Sequence, residues 1–261
     1  MKPNQYTKVA IAAAKEAGRI HLRYFRSKKL RVEHKKSAFD LLTSADLAAE
    51  KRIVSTIKKR FPGHNFLAEE SKYKKTNSRY RWIIDPLDGT NNFAFGLPIF
   101  CVSIACAKDN QVFSAVIYDP VREELFYAEK GRGAYLNGKK IQVNATKTLK
   151  ESLLVTGFYY NRGRPMVETL KNIKRFFYQD IVGIRRLGSA ALDLSYLACG
   201  RISGFWEYLL NPWDFAAAVL IIKEAGGRVS GRRGEEISLK RSYIVASNGK
   251  IHNKMLNVLI R

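Results

Sequence analysis

The 261-residue sequence predicts a mixed chain, α+β in its first part and α/β in its second, with helices and sheets stacked in layers. Three observations lead there. The first 60 residues carry the 3.6-residue periodicity of helices, Arg81 to Gln142 reads as successive antiparallel strands, and after about Lys150 strands and helices take turns. An α+β half over 1–150, with a large antiparallel sheet, and an α/β half over 151–261 are therefore expected to enclose a cleft.

The elements follow in order. Lys8, Lys15, Glu16 and Arg19 interrupt the alanines of YTKVAIAAAKEAGRI, so Gln5 to Arg26 reads as an amphipathic helix and not as a secretion signal. A basic, extended segment leads to a second helix that starts near Thr43–Ser44 and runs through Ile53, Val54 and Ile57. RWIID, IFCVSIACA, QVFSAVIYD and ELFYAE are strands, and Asn137–Gly138 is a hairpin turn before KKIQV. IVGIRRL precedes a helix in SAALDLSYLA, and GFWEY precedes one in WDFAAAVLIIKEAGG, where Gly226–Gly227 is the stop. YIVASN and a short helix finish the chain.

Hydrophobic residues at 46% and charged ones at 26% describe a globular protein. The longest apolar stretch, Phe93 to Ala107, contains Gly96 and Pro98 and is shorter than the roughly 20 residues of a membrane span. Cys101, Cys106 and Cys199 sit in apolar runs without a CxxC pair, which favours core thiols in a reducing compartment and predicts a cytoplasmic protein. No GxxxxGK[ST] loop is present, which argues against NTP hydrolysis of that kind. Lys plus Arg number 46 against 23 for Asp plus Glu, a net charge of +23. Such a surface either attracts anions (a phosphorylated substrate, RNA, an acidic protein) or is simply solvated, and its basic clusters are scattered along the chain.

Against that charge, WIIDPLDGTNNF is unusual. Asp85 and Asp88 follow an apolar strand, where mutual repulsion and desolvation penalise both. A hard divalent cation removes the repulsion, and the turn through Pro86 lets two carboxylates and a backbone carbonyl converge. Gly89 permits close backbone approach, and Thr90 begins a helix N-terminus of the kind that suits phosphate. The alternative is an Asp-capped turn. Glu69–Glu70 in FLAEES and Asp214 in NPWDF add acids upstream and downstream; separately they read as a solvated loop and a helix cap. The four histidines, His21, His34, His64 and His252, lie outside these motifs and read as surface or packing residues.

DPLDGTNNF, with AEES before it and PWDFAA and EAGG far after it, resembles the inositol monophosphatase family of magnesium-dependent, lithium-sensitive phosphatases. RRLGSAALDLSYLACGRISGFWEYLLNPWDFAA is most similar to its bacterial extragenic-suppressor branch. The resemblance implies a layered α-β-α-β-α sandwich of the sugar-phosphatase type, Mg2+ as cofactor and a homodimer. It implies hydrolysis of inositol 1-phosphate or a similar small polyol or sugar phosphate by an activated water. Related activities on fructose 1,6-bisphosphate, NADP or 3′-phosphoadenosine phosphates stay open, as does an accessory RNA or transcription-factor partner.

Carried over by residue, Glu69, Asp85 and the Leu87 carbonyl would hold one magnesium, and Asp85, Asp88 and Asp214 a second. Thr90, supported by Asp46, would orient the water, and these two form the catalytic set with Glu69. The substrate would lie against Gly89, Thr90, Asp88 and Asp214, with Gly89 and Thr90 amides on the phosphate and Ala190 and Glu207 on the hydroxyls. A partly exposed strand carboxylate is the alternative for Glu207. Ala68 and Asn91 stand where glycine and threonine are frequent in the family, and neither is a ligand position.

Overall fold

The computed structural model describes residues 2–34, 41–158 and 163–260. Helix α1 (Gln5–Tyr24) is capped by Asn4, whose side chain accepts from the amides of Tyr6 and Thr7 at 2.9 and 3.0 Å. It ends two residues before the predicted Arg26, which has a φ of +57°. The predicted extended segment contributes two short antiparallel strands, β1 (Val32–His34) and β2 (Leu41–Thr43); its residues 35–40 lie outside those described. Helix α2 (Ser44–Arg60) follows immediately.

The first large sheet holds β3 (Asn65–Ala68), β4 (Tyr80–Asp88), β5 (Cys101–Lys108), β6 (Gln111–Asp119), β7 (Glu124–Glu129), β8 (Ala134–Leu136) and β9 (Lys139–Ile141), in that order. Only the β3–β4 pair is parallel. Period-2 alternation sorts its side chains: Trp82 and Ile84 of β4 join α1 and α2 in one core cluster, while Ile83 joins another on the opposite face. A sheet buried on both faces explains why IFCVSIACA is apolar but for Ser103, whose hydroxyl donates to the Trp213 carbonyl.

After it come β10 (Leu153–Thr156), α4 (Arg164–Phe177), β11 (Gly183–Arg185), α5 (Ala190–Ala198), β12 (Gly204–Leu210), α6 (Pro212–Glu224), β13 (Arg228–Ser230), β14 (Ser242–Ser247) and α7 (His252–Leu259). The second sheet has the order β11-β10-β12-β14-β13. Its inner face (Val155, Phe205, Ala246) shares the central cluster with α5, α6 and Ile83 of the first sheet. Its outer face (Leu154, Trp206, Val245) packs on Phe176 of α4 and on Met255 and Leu259 of α7. From α1–α2 through both sheets to α4–α7, the layers run α-β-α-β-α, the sandwich the resemblance implied.

The elements absent from the sequence reading are short or polar. β3, β10 and β13 have three or four residues, and α4 buries only Thr169, Asn172 and Phe176. Among the described residues no helix is long and apolar enough to cross a membrane, and the three cysteines are free thiols. His21 and His252 are fully buried packing residues, whereas His34 is exposed.

Candidate active site

In a regular strand, residues three apart face opposite sides, so Asp85 and Asp88 would point away from each other. A bulge in the β4–β5 ladder between Asp85 and Asp88 breaks that alternation, at Pro86, which has no amide hydrogen to give. Both aspartates therefore line one cleft, of about 430 Å³. The Leu87 amide donates to Asp85 Oδ1 at 3.0 Å and fixes the turn. Gly89 follows at φ +98°, and a Cβ there would stand 2.8 Å from the Ile99 carbonyl oxygen, so no other residue fits.

Thr90 opens α3 (Thr90–Ala94), a helix of only five residues. Its hydroxyl lies 3.0 Å from Asp46 Oδ1 and 2.9 Å from the Leu87 carbonyl oxygen. Asp46 is itself fixed: as the third residue of α2 it accepts at Oδ2 from the Thr43 amide, 2.7 Å away, in a capping box. Burial pushes its carboxyl up to about 6, against the hydrogen bond from Thr43 and with the charge of Glu69.

β3 stops at Ala68, but the Glu69 amide still donates to the Ile84 carbonyl at 3.2 Å. This extension of the parallel ladder carries Glu69 into the cleft beside Asp85. Glu70, the other acid of the pair, is not part of the cleft wall, and its amide donates to Glu50. Asp214 enters on the first turn of α6, with the Asn211 amide donating to its Oδ2 at 2.7 Å.

The second half also grips Asp88 directly. Ser189 Oγ and the Ala191 amide donate to Asp88 Oδ2 at 2.6 and 2.7 Å. Ala190, between them, and Glu207 of β12 line the same cleft. Gly157 makes room for Glu207, because a Cβ at that position would meet the Glu207 carboxyl at 2.1 Å.

These acids oppose one another's ionisation. Burial, then the charges of Glu69, Asp88, Asp214 and Glu70, hold the Asp85 carboxyl well above its usual range. Asp214 is raised well above it by burial and by Glu69 and Asp88. Burial pushes Asp88 up to about 6 in spite of its hydrogen bonds from Ser189 and Ala191. Burial, with the charge of Asp88, pushes Glu207 up to about 8. Among the described residues, no three His, Cys, Asp or Glu side chains meet tightly enough to form a ready-made metal cluster. The acids instead surround the cleft, and their oxygen-only donor set with uncompensated charge fits a hard divalent cation between them.

Glu69, Asp85, Leu87, Asp88, Gly89, Thr90, Ala190, Glu207 and Asp214 thus come together around one cleft, and Asp46 reaches it through Thr90. Sequence reasoning missed Ser189, Gly157, Arg186 and Asp193, which is buried with an unpartnered Oδ1 and raised by burial and the charge of Glu207. In sequence Ser189 and Asp193 are an ordinary helix start, and nothing local marks Gly157. A more open hollow of about 750 Å³ runs along α2 past Lys51, Lys58 and Lys59 and includes none of the cleft acids.

The chain is 46% identical over 232 residues to an inositol-1-monophosphatase of Synechocystis, covering 87% of this chain and 79% of that one. It is 40% identical over 255 residues to the Nus factor SuhB of Pseudomonas aeruginosa, covering 96% and 94%. The crystal structure of the extragenic suppressor protein SuhB from Bartonella henselae superposes with a TM-score of 0.93 at 39% identity, over 98% of both chains. The pattern of the inositol monophosphatase family matches residues 2–261, through both sheets and every acid of the cleft. With likeness of sequence, of fold and of site coinciding over this length, the chain belongs to the inositol monophosphatase family.

Proposed function

We propose that the protein is a magnesium-dependent phosphomonoesterase that hydrolyses inositol 1-phosphate, or a similarly small polyol or sugar phosphate, to alcohol and phosphate. The observation that carries this reading is the meeting of Glu69, Asp85, Asp88 and Asp214 around one cleft where burial opposes the charge of Asp85, Asp88 and Asp214. Glu69, Asp85 and the Leu87 carbonyl would hold one Mg2+, and Asp85, Asp88 and Asp214 a second. Magnesium bound there supplies positive charge and Lewis acidity at the phosphate, for a reaction whose uncatalysed rate is among the slowest known.

The chain's own groups do the positioning. Above a pH of about 6 Asp46 is ionised and accepts the Thr90 hydroxyl proton in a hydrogen bond, leaving the Oγ1 lone pairs for a proton of the incoming water. Gly89 and Thr90 amides face the phosphate oxygens, where they oppose charge that grows in the transition state. Glu207 and the Ala190 backbone take the alcohol's hydroxyls. The water oxygen bonds to phosphorus as the ester P–O bond breaks; the electron pair of that bond leaves on the alcohol oxygen, which takes up the proton that the water releases.

The test is phosphate release from inositol 1-phosphate, fructose 1,6-bisphosphate, NADP and 3′-phosphoadenosine 5′-phosphate, with and without Mg2+ and Li+, for wild type and Asp88→Asn. Metal-dependent, lithium-inhibited release that Asp88→Asn abolishes is expected. Activity without a divalent cation, or undiminished in the variant, would sink the assignment.

A second, additional role rests on the net charge of +23: binding of RNA or of a transcription complex, as the name of the SuhB relatives suggests. RNA binding through phosphates would weaken steeply between low and moderate salt; no binding at low salt removes it. A cytoplasmic homodimer completes the proposal. It is supported by free cysteines and by the exposed apolar side chains of Phe95, Leu97, Phe177 and Val182, and light scattering checks it.

A further inference from the structure

Leu209 has the backbone of a glycine, with φ at +52°. The other non-glycine residues of positive φ among those described are Arg26, Asp109, Asn110, Glu123, Asn137 and Asp180, all charged or amide side chains. That region presses Cβ toward the following carbonyl, and Asn or Asp offset this by bonding locally, which leucine cannot do. Nor does packing in the core compensate. Phe205 and Leu210 of the same strand belong to the central cluster and Trp206 to the outer one, but Leu209 belongs to neither.

Its position is set by the β12–β14 ladder, whose register shifts between Glu207 and Leu210. Arg241 Nε donates to the Leu209 carbonyl at 3.1 Å, which holds the bulge. Leu209 is half-buried and lines the cleft with Glu207, Phe158 and Trp213. A strained backbone next to a site, with no gain in packing, is where a functional constraint is expected.

We propose that Leu209 is a specificity-determining residue that selects phosphates of ring-shaped polyols. A cyclic polyol carries its hydroxyls around the rim and presents C–H groups on its faces. Glu207 suits the rim, where hydroxyls donate to a carboxylate. Leu209, two residues on, supplies the apolar wall that one face covers, excluding water from both. An acyclic alcohol such as glycerol offers no such face. The inference rests on the phosphomonoesterase reading.

Leu209→Gly relieves the backbone and removes the wall, and Leu209→Asn tolerates the same φ while replacing the wall by an amide. For the full chain with Mg2+, kcat/KM is measured on inositol 1-phosphate and on glycerol 2-phosphate, with thermal melts alongside. Both variants are expected to melt at or above the wild-type temperature. Each should lose about tenfold on inositol 1-phosphate and stay within about twofold on glycerol 2-phosphate, the scale of a lost apolar contact. Equal losses on both substrates, no loss on either, or melting below wild type in both variants overturns the proposal while the phosphatase reading stands. A wild-type protein that hydrolyses neither ester overturns both.

Discussion

Thr90 Oγ1 stands 3.0 Å from Asp46 Oδ1 across 44 residues of sequence, and 2.9 Å from the Leu87 carbonyl. One hydroxyl proton has two acceptors, and an ionised Asp46 is the stronger. Thr90→Ala removes this hydroxyl without touching the Thr43–Asp46 capping box. Its kcat is expected to fall about 10²–10⁴-fold on every substrate, with an unchanged melting temperature. Asp46→Asn should lose activity as well but not stability at pH 7, because folding raises the Asp46 carboxyl to about 6 and an amide sheds that ionisation penalty while its oxygen still accepts from the Thr43 amide. Steady-state kinetics and urea titrations of the two variants separate the effects. Because the Asp46 carboxyl is raised to about 6, wild-type kcat should decline as the pH drops through that value.

Gly157 and Glu207 are coupled by space alone. A Cβ on residue 157 would overlap the carboxyl at 2.1 Å, so Gly157→Ala must move Glu207. The expected result is about a tenfold rise in KM for inositol 1-phosphate and almost none for 4-nitrophenyl phosphate, which has no hydroxyl for Glu207 to read. Parallel loss on both would assign Gly157 to folding instead.

The metal-free cleft is a stability liability. The Asp85 carboxyl is raised in the folded chain, so folding opposes its ionisation. The penalty begins as pH rises above the unfolded value of about 3.9 and grows toward the folded one. At pH 8, Mg2+ should therefore raise the melting temperature, with about 2.7 kcal/mol gained at a hundredfold excess over Kd. Asp85→Asn should melt higher than wild type without metal and gain less from Mg2+; a thermal-shift titration reads both.

Acid should weaken the outer layers through His252. Its ring nitrogens lie 2.8 Å from Ser230 Oγ and 3.0 Å from Ser247 Oγ, and burial lowers its pKa to about 4. A base with a depressed folded pKa costs stability once the unfolded chain takes up a proton, here as pH falls from about 6.5 to about 4. Unfolding free energy should drop on the order of 2 kcal/mol between pH 7 and pH 5. His21, buried against Phe93 and Phe100 and lowered to about 3, acts in the same direction. Urea titrations at pH 7 and pH 5 should show a smaller drop for His252→Gln.

The fold was legible where burial leaves a periodic trace. β4, β5 and β6, each covered by helices, show as apolar runs, and α1, α2 and α6 show as helical patterns. α4 escaped because it buries one narrow, partly polar stripe, and β13 because three residues make no pattern. At the site, the acids stood out against a basic chain, and their motif carried the resemblance. Asp85 and Asp88 share a cleft only through a bulge that spacing alone would have argued against. Ser189 and Gly157 act on Asp88 and Glu207 through space, and such contacts leave no mark in the residues next to them.

Asp88 depends on Ser189 and Ala191, more than a hundred residues later, and the cleft closes only when Asp214 arrives. During synthesis the first sheet emerges from the ribosome with its acidic turn but with none of these later partners. A chain interrupted before α6 lacks Asp214 and is expected to release no phosphate from any ester.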